Sequence, residues 1–209
     1  MIGTQSSSTL KKWCRGPLIS LCLVASIAPS TSFAVEQNST VIGRSSLVRD
    51  CYDRSQQAAL RQSANRTDID ICNRAIADGA VLKKELAASY SNRGVLHMAM
   101  QNYSQAYKDY DRALKIDTKL AEAYINRGNL WFAVEQFDRA ISDYDSALKY
   151  GTNKKSITFL NRGLAFEYKG DLDSAKSNYQ ASLQANPEFK QAKDKLERLN
   201  AKINAKENE

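Results

Sequence analysis

Few side chains in this 209-residue sequence have the means to do bond-making chemistry. It holds one histidine, His97, and four cysteines, Cys14, Cys22, Cys51 and Cys72. A metal site built on His97 would need further cysteine, histidine or carboxylate ligands at a recurring spacing, and none accompanies it. No serine stands in a nucleophile elbow and no Gly-rich loop is placed to cradle a phosphate. The expectation is therefore no catalytic residue, no cofactor and no metal, and a protein that is not an enzyme. The chemistry on offer is hydrogen bonding. The triplet Asn-Arg-Gly occurs three times, at Asn92-Arg93-Gly94, Asn126-Arg127-Gly128 and Asn161-Arg162-Gly163, spaced by 34 and 35 residues. An asparagine amide carries a donor and an acceptor, so it can pair with both polar groups of one peptide unit.

The first 34 residues predict export. Lys11, Lys12 and Arg15 precede the apolar run Pro17 to Ala28, and Ser32-Phe33-Ala34 supplies small residues at the two positions that a signal peptidase reads. Cleavage is expected after Ala34. The run is too short to cross a bilayer, which takes about 20 residues, and Leu21 before Cys22 does not suit a lipid anchor. A periplasmic or secreted protein with no membrane span after cleavage follows. Loss of residues 1–34 leaves 27 basic against 23 acidic residues, a formal charge of +4. The bases alternate with acids, as in KIDTKLAE and KDKLERLNAK, and form no run that would track a phosphate backbone, which argues against nucleic acid. Cleavage also leaves only Cys51 and Cys72. Two cysteines in an exported chain suggest one structural disulfide. The alternative, a thiol-dependent redox pair, lacks a Cys-x-x-Cys motif.

The elements that hold the triplets can be read from what surrounds them. Tyr90, Tyr124 and Phe159 stand four residues before each glycine, and His97, Trp131 and Phe166 three after. Twelve after it is Ala106, Ala140 or Ala175, sixteen after it Tyr110, Tyr144 or Tyr179, and nineteen after it Ala113, Ala147 or Ser182. Steps of three and four mark one face of a helix. Each unit is thus two helices joined at Gln101-Asn102, Glu135-Gln136 or Gly170-Asp171, with the glycine admitting a close approach of the second helix. This pattern resembles the tetratricopeptide-repeat (TPR) family, whose 34-residue unit carries aromatic, Gly, aromatic, Ala, aromatic, Ala and Pro at these offsets. Pro187 fits, whereas His97, Thr118 and Thr152 depart from the pattern. The resemblance implies an all-α, right-handed superhelix, an α-solenoid, with units at 87–120, 121–155 and 156–187. Residues 35–45 read as a tether. Residues 46–86 read as a degenerate helical pair (46–62 and 68–77) in which Cys72 takes the tyrosine slot and Cys51 lies on the core stripe of the preceding helix. Residues 188–209 read as a capping helix and tail with Ala192, Leu196, Leu199 and Ile203 on one stripe.

The resemblance further implies that the first helix of each unit lines a concave groove. The inward positions would be Ala88, Ser91, Asn92, Val95 and Met98, then Glu122, Ile125, Asn126, Asn129 and Phe132, then Ile157, Leu160, Asn161, Leu164, Glu167 and Tyr168. Asn92, Asn126 and Asn161 would form a ladder. Three amides making two bonds each, at about 1 kcal/mol net per bond, would supply about 6 kcal/mol, much of it consumed in ordering a flexible peptide, so micromolar affinity is expected. The same asparagines could instead pack the units together. No lysine or arginine occupies these positions, which favours an extended, partly apolar segment. Arg93, Arg127 and Arg162 should face Asp109, Asp111, Asp143 and Asp145, with Arg162 less well served by Asn178 and Gln180. A monomeric adaptor for a protein or peptide partner is the expectation, with a chaperone for unfolded clients as the alternative.

Overall fold

A computed structural model of the chain describes residues 46–207. The expected leader, its cleavage site and the tether at 35–45 lie outside the described residues. Among those described there are nine α-helices and no strand: α1 (Ser46–Arg61), α2 (Arg66–Ala77), α3 (Lys83–Ala99), α4 (Tyr103–Ile116), α5 (Ala121–Ala133), α6 (Phe137–Lys149), α7 (Lys155–Lys169), α8 (Leu172–Ala185) and α9 (Lys190–Glu207). They pair into four hairpins, and substantial contacts join helices of the same or the adjacent hairpin. The described residues form an all-α solenoid of stacked hairpins closed by α9, the architecture that the sequence resemblance implies.

One backbone device makes every hairpin. Gln62, Gln101, Glu135 and Gly170 all adopt left-handed φ values, 53°, 58°, 60° and 86°. After each, a backbone amide bonds the carbonyl five residues back: Ser63 to Ala58 at 3.2 Å, Asn102 to His97 and Gln136 to Trp131 at 2.8 Å, and Asp171 to Phe166 at 3.0 Å. Only the last turn has the residue that adopts this conformation without strain; the other three accept about 1 kcal/mol each. Side-chain caps then start some of the helices. Asn65 and Asp68 exchange side-chain-to-backbone bonds at 3.0 Å at the head of α2, and Asp171 accepts from the Ser174 amide at the head of α8.

Gly94, Gly128 and Gly163 let each hairpin close. A Cβ on them would sit 2.5, 2.7 and 2.7 Å from the rings of Tyr110, Tyr144 and Tyr179, inside contact distance. The three tyrosines are buried against the first helix, which is why glycine is kept mid-helix at a propensity cost of about 1 kcal/mol. In the α1–α2 hairpin the residue seven before the left-handed turn is Ser55, so serine fills the glycine's register. There Cys72 replaces the tyrosine and its Sγ lies 2.02 Å from Cys51 Sγ, a disulfide in a fully buried position.

The last helix packs as the first helix of a further unit would. The Ala192 amide bonds Phe189 O at 3.0 Å as Ala123 bonds Leu120 O. Ala192 and Leu199 share a core with Leu160, Leu164, Ala175 and Tyr179. Its stripe at 192, 196, 199 and 203 is the one the sequence predicts. No described helix is long and apolar enough to cross a membrane.

Candidate functional site

The expected groove residues separate into those with surface to offer and those without. Asn92, Val95, Met98, Asn126, Asn129 and Phe132 are half-buried, and Tyr168 is 59 % exposed. Ser91, Ile125, Leu160 and Leu164 are only 3, 5, 2 and 3 % exposed, and Asn161 7 %. These five are corrections to the expected lining. Leu160 and Leu164 belong to the core that α9 completes, with Phe132 packed against it. Asn161 is turned toward the preceding unit.

The asparagines bind their neighbours. Asn126 Nδ2 donates to Ser91 Oγ at 3.1 Å, and Asn161 Nδ2 donates to Asn129 Oδ1 at 3.0 Å. Asn129 Oδ1 also accepts from the Tyr144 hydroxyl at 2.8 Å. The Asn92 amide lies 3.3 Å from Ser55 Oγ on α1. Each amide thus has one end tied across a unit boundary. Asn92 and Asn126 keep their remaining polar groups on a half-exposed side chain, while Asn161 is closed off by burial.

Arginines lock the back of the array. Arg93 makes paired bonds to Asp109 at 2.8 and 2.6 Å, and Arg127 to Asp143 at 2.8 and 2.8 Å. Each guanidinium also lies over the aromatic three residues before it, Tyr90, Tyr124 or Phe159, at 5.4, 5.6 and 5.4 Å. Arg93 reaches back to Asn73 at 2.7 Å, which ties the α1–α2 hairpin to the next. Arg162 meets Asn178 at 2.7 Å and ion-pairs with Asp145 of the preceding unit, so the loss of an aspartate at 178 is compensated across the boundary. Asp111 departs from expectation: its ion pair is with Lys115 on its own helix, at 2.7 Å.

His97 stands beside the same cluster. Its Nε2 is 3.8 Å from Asp109 Oδ2, and its buried Nδ1 has no hydrogen-bond partner. Burial lowers the imidazole pKa, Asp109 opposes that shift and Arg93 adds to it. No group of three metal-ligating residues is present among the described residues.

Three aromatics gather at the turn end of the groove. Tyr168 stacks on Phe137 (5.5 Å, 24°) and meets Phe132 edge-on (5.3 Å, 90°). The backbone register adds lining that the sequence pattern did not reveal. Counting from the glycine slot, Tyr52 of α1 is equivalent to Ser91, Ile125 and Leu160, and Leu60 to Ala99, Ala133 and Tyr168. Tyr52 and Leu60 are 51 and 57 % exposed. The same count on α9, from Ala192 matched to Ala123, puts Lys195, Arg198 and Lys202 at groove positions. Counting back from Gln62 as the counterpart of Gln101 would have found the α1 pair.

Two family models described as tetratricopeptide repeat match the sequence, one over residues 87–119 and one over 158–189. No curated protein matches it. Among solved structures, the second TPR domain of human RPAP3, in complex with the HSP70 peptide SGPTIEEVD, is 26 % identical with a TM-score of 0.51, over 55 % of this chain and 94 % of that one. The Sgt2 TPR domain from Aspergillus fumigatus is also 26 % identical, with a TM-score of 0.55 over 59 % and 82 %. The MamA RS-1 ArsTM double mutant shares the fold alone, at 15 % identity and a TM-score of 0.59 over 77 % and 86 %. Repeated glycine–tyrosine hairpins, matching family models and TPR domains as structural neighbours lead to one assignment: the chain belongs to the tetratricopeptide-repeat family.

Proposed function

We propose that this protein is an interaction scaffold or adaptor that holds an extended protein or peptide segment against the first helices of its hairpins, and that it works outside the cytosol after losing residues 1–34. The observation that carries the groove reading is the state of Asn92 and Asn126. Each has one amide end fixed by the neighbouring unit and the other open on a half-exposed face, so two pre-oriented amides flank a strip of Val95, Met98 and Phe132. Fixing the side chain beforehand lowers the entropy lost on binding. The bound RPAP3 neighbour supports the same use of the fold. With Asn161 closed off and one end of Asn92 and of Asn126 already tied, the amides contribute about 2 kcal/mol in place of the 6 of a full ladder, so apolar contact has to supply most of the affinity.

The test is recovery of partners from envelope extract on immobilised wild-type protein, the double variant Asn92→Ala and Asn126→Ala, and Tyr168→Ala. The expected result is a saturable partner lost from both variants while their helical content is unchanged. Equal recovery by all three baits overturns the groove.

A further inference from the structure

The groove reading leaves open what kind of segment fits, and the charges on the concave face bear on that. On α3, α5 and α7 the groove positions carry two carboxylates, Glu122 and Glu167, and no lysine or arginine. The chain as a whole is basic, +7, so this face runs against the protein's own balance. Glu122 is half-buried and has no ion-pair partner among the described residues. Glu167 accepts a hydrogen bond from the Tyr179 hydroxyl and likewise has no cation beside it. It immediately precedes Tyr168, whose exposed ring is propped by Phe137 and Phe132. The lysine next to that ring is already engaged, because Lys169 ion-pairs with Asp138. An open tyrosine ring beside a carboxylate that has no cation on it suits the end of a basic side chain: the aliphatic stem lies on the aromatics, the cation meets the ring face, and the carboxylate supplies the counter-charge.

Resting on the groove reading, we propose that the groove selects an extended apolar segment carrying an arginine or lysine, with that side chain seated at Tyr168 and Glu167 and its charge favoured by Glu122. This is the opposite of the acidic SGPTIEEVD tail held by the RPAP3 neighbour. A tail of that kind would find cations at groove positions here only outside the three regular units, at Arg49 of α1 and at Lys195, Arg198 and Lys202 of α9.

A random nine-residue peptide library displayed on phage, panned against the full chain, tests this. The expected outcome is enrichment of Arg or Lys among apolar residues and depletion of Asp and Glu. Synthetic copies of a selected peptide should bind about tenfold more weakly when the basic residue is replaced by Glu, as read by fluorescence anisotropy at low salt. In Glu167→Gln, which keeps an acceptor for Tyr179, that ratio should shrink toward one, and in Glu122→Gln, about three helical turns further along the groove, it should shrink less. Peptides without charge preference, or acidic ones that lose binding in Lys195→Ala or Arg198→Ala, overturn the proposal while leaving the groove reading intact provided Tyr168→Ala still weakens them. Peptides indifferent to Tyr168→Ala and Asn126→Ala, or no enrichment at all, overturn both.

Discussion

His97 occupies the slot that Trp131 and Phe166 fill in the next two units, and it is the only histidine in the chain. An aromatic there needs no partner, whereas the imidazole is left with a buried Nδ1 lacking a hydrogen bond and an Nε2 beside the Arg93–Asp109 pair. Its pKa is lowered in the folded chain, first by burial. The unfolded chain, with an ordinary imidazole pKa near 6.5, therefore takes up a proton that the folded chain resists. Stability contributed at neutral pH is lost as pH falls from about 7 through the folded-state value, and it levels off below that. Urea midpoints at pH 7.5 and 5.5 measure this directly: the wild-type midpoint should be lower at pH 5.5, and His97→Phe should remove most of the difference. An equal drop in both proteins would trace the slope to carboxylates.

At the scale of the element, the α1–α2 hairpin shows how one fold unit survives the loss of its usual lock. In the other three hairpins a buried tyrosine lies on a glycine; here Cys72 and Ser55 stand in those slots, and the packed ring is replaced by the Cys51–Cys72 bridge. A crosslink over a separation of 21 residues stabilises by about 3 kcal/mol in the chain-entropy model. Reduction, or Cys72→Ser, should therefore lower urea stability by about that amount, with amide exchange rising first in α1 and α2. No change with reductant would mean the hairpin stands without the bridge. This hairpin also marks where the sequence was legible and where it was not. The three regular units could be read because glycine, tyrosine and alanine recur at fixed offsets that only one helical geometry explains. The hairpin in α1–α2 could be sensed from Cys72-Asn73-Arg74-Ala75, but its register was hidden, since the residue that fixes it, Gln62, is set by a backbone angle that glutamine does not advertise. In the groove, offsets assign a face of a helix but not what covers it. Leu160 and Leu164 satisfied the pattern for lining and are buried because α9 completes their core.

At the scale of the whole molecule, a solenoid whose substantial contacts reach no further than the adjacent hairpin should lose stability locally when an end is removed. The two ends differ. On α1 the side chains that would meet a preceding unit, Asp50, Arg54 and Gln57, are exposed and polar, so that end is already solvated. At the other end α8 presents Ala175, Tyr179 and Leu183 to α9, which buries Ala192 and Leu199 and packs Phe189, Leu196 and Ile203 around them. Ending the chain after Pro187 takes these five apolar side chains away and opens the face beneath. At about 1.5–3 kcal/mol for each large apolar side chain fully buried, less for the half-buried ones, the loss is about 5 kcal/mol. Hydrogen exchange should place it: α7 and α8 should lose protection, α5 and α6 in part, and α3 and α4 hardly at all. The groove should weaken at the same end, because Tyr168 and Glu167 are held by α7, while the amides of Asn92 and Asn126 keep their positions. Uniform loss of protection from α1 to α8 would mean that the array unfolds as one cooperative block, and that α9 acts on the entire stack and not only on its nearest hairpin.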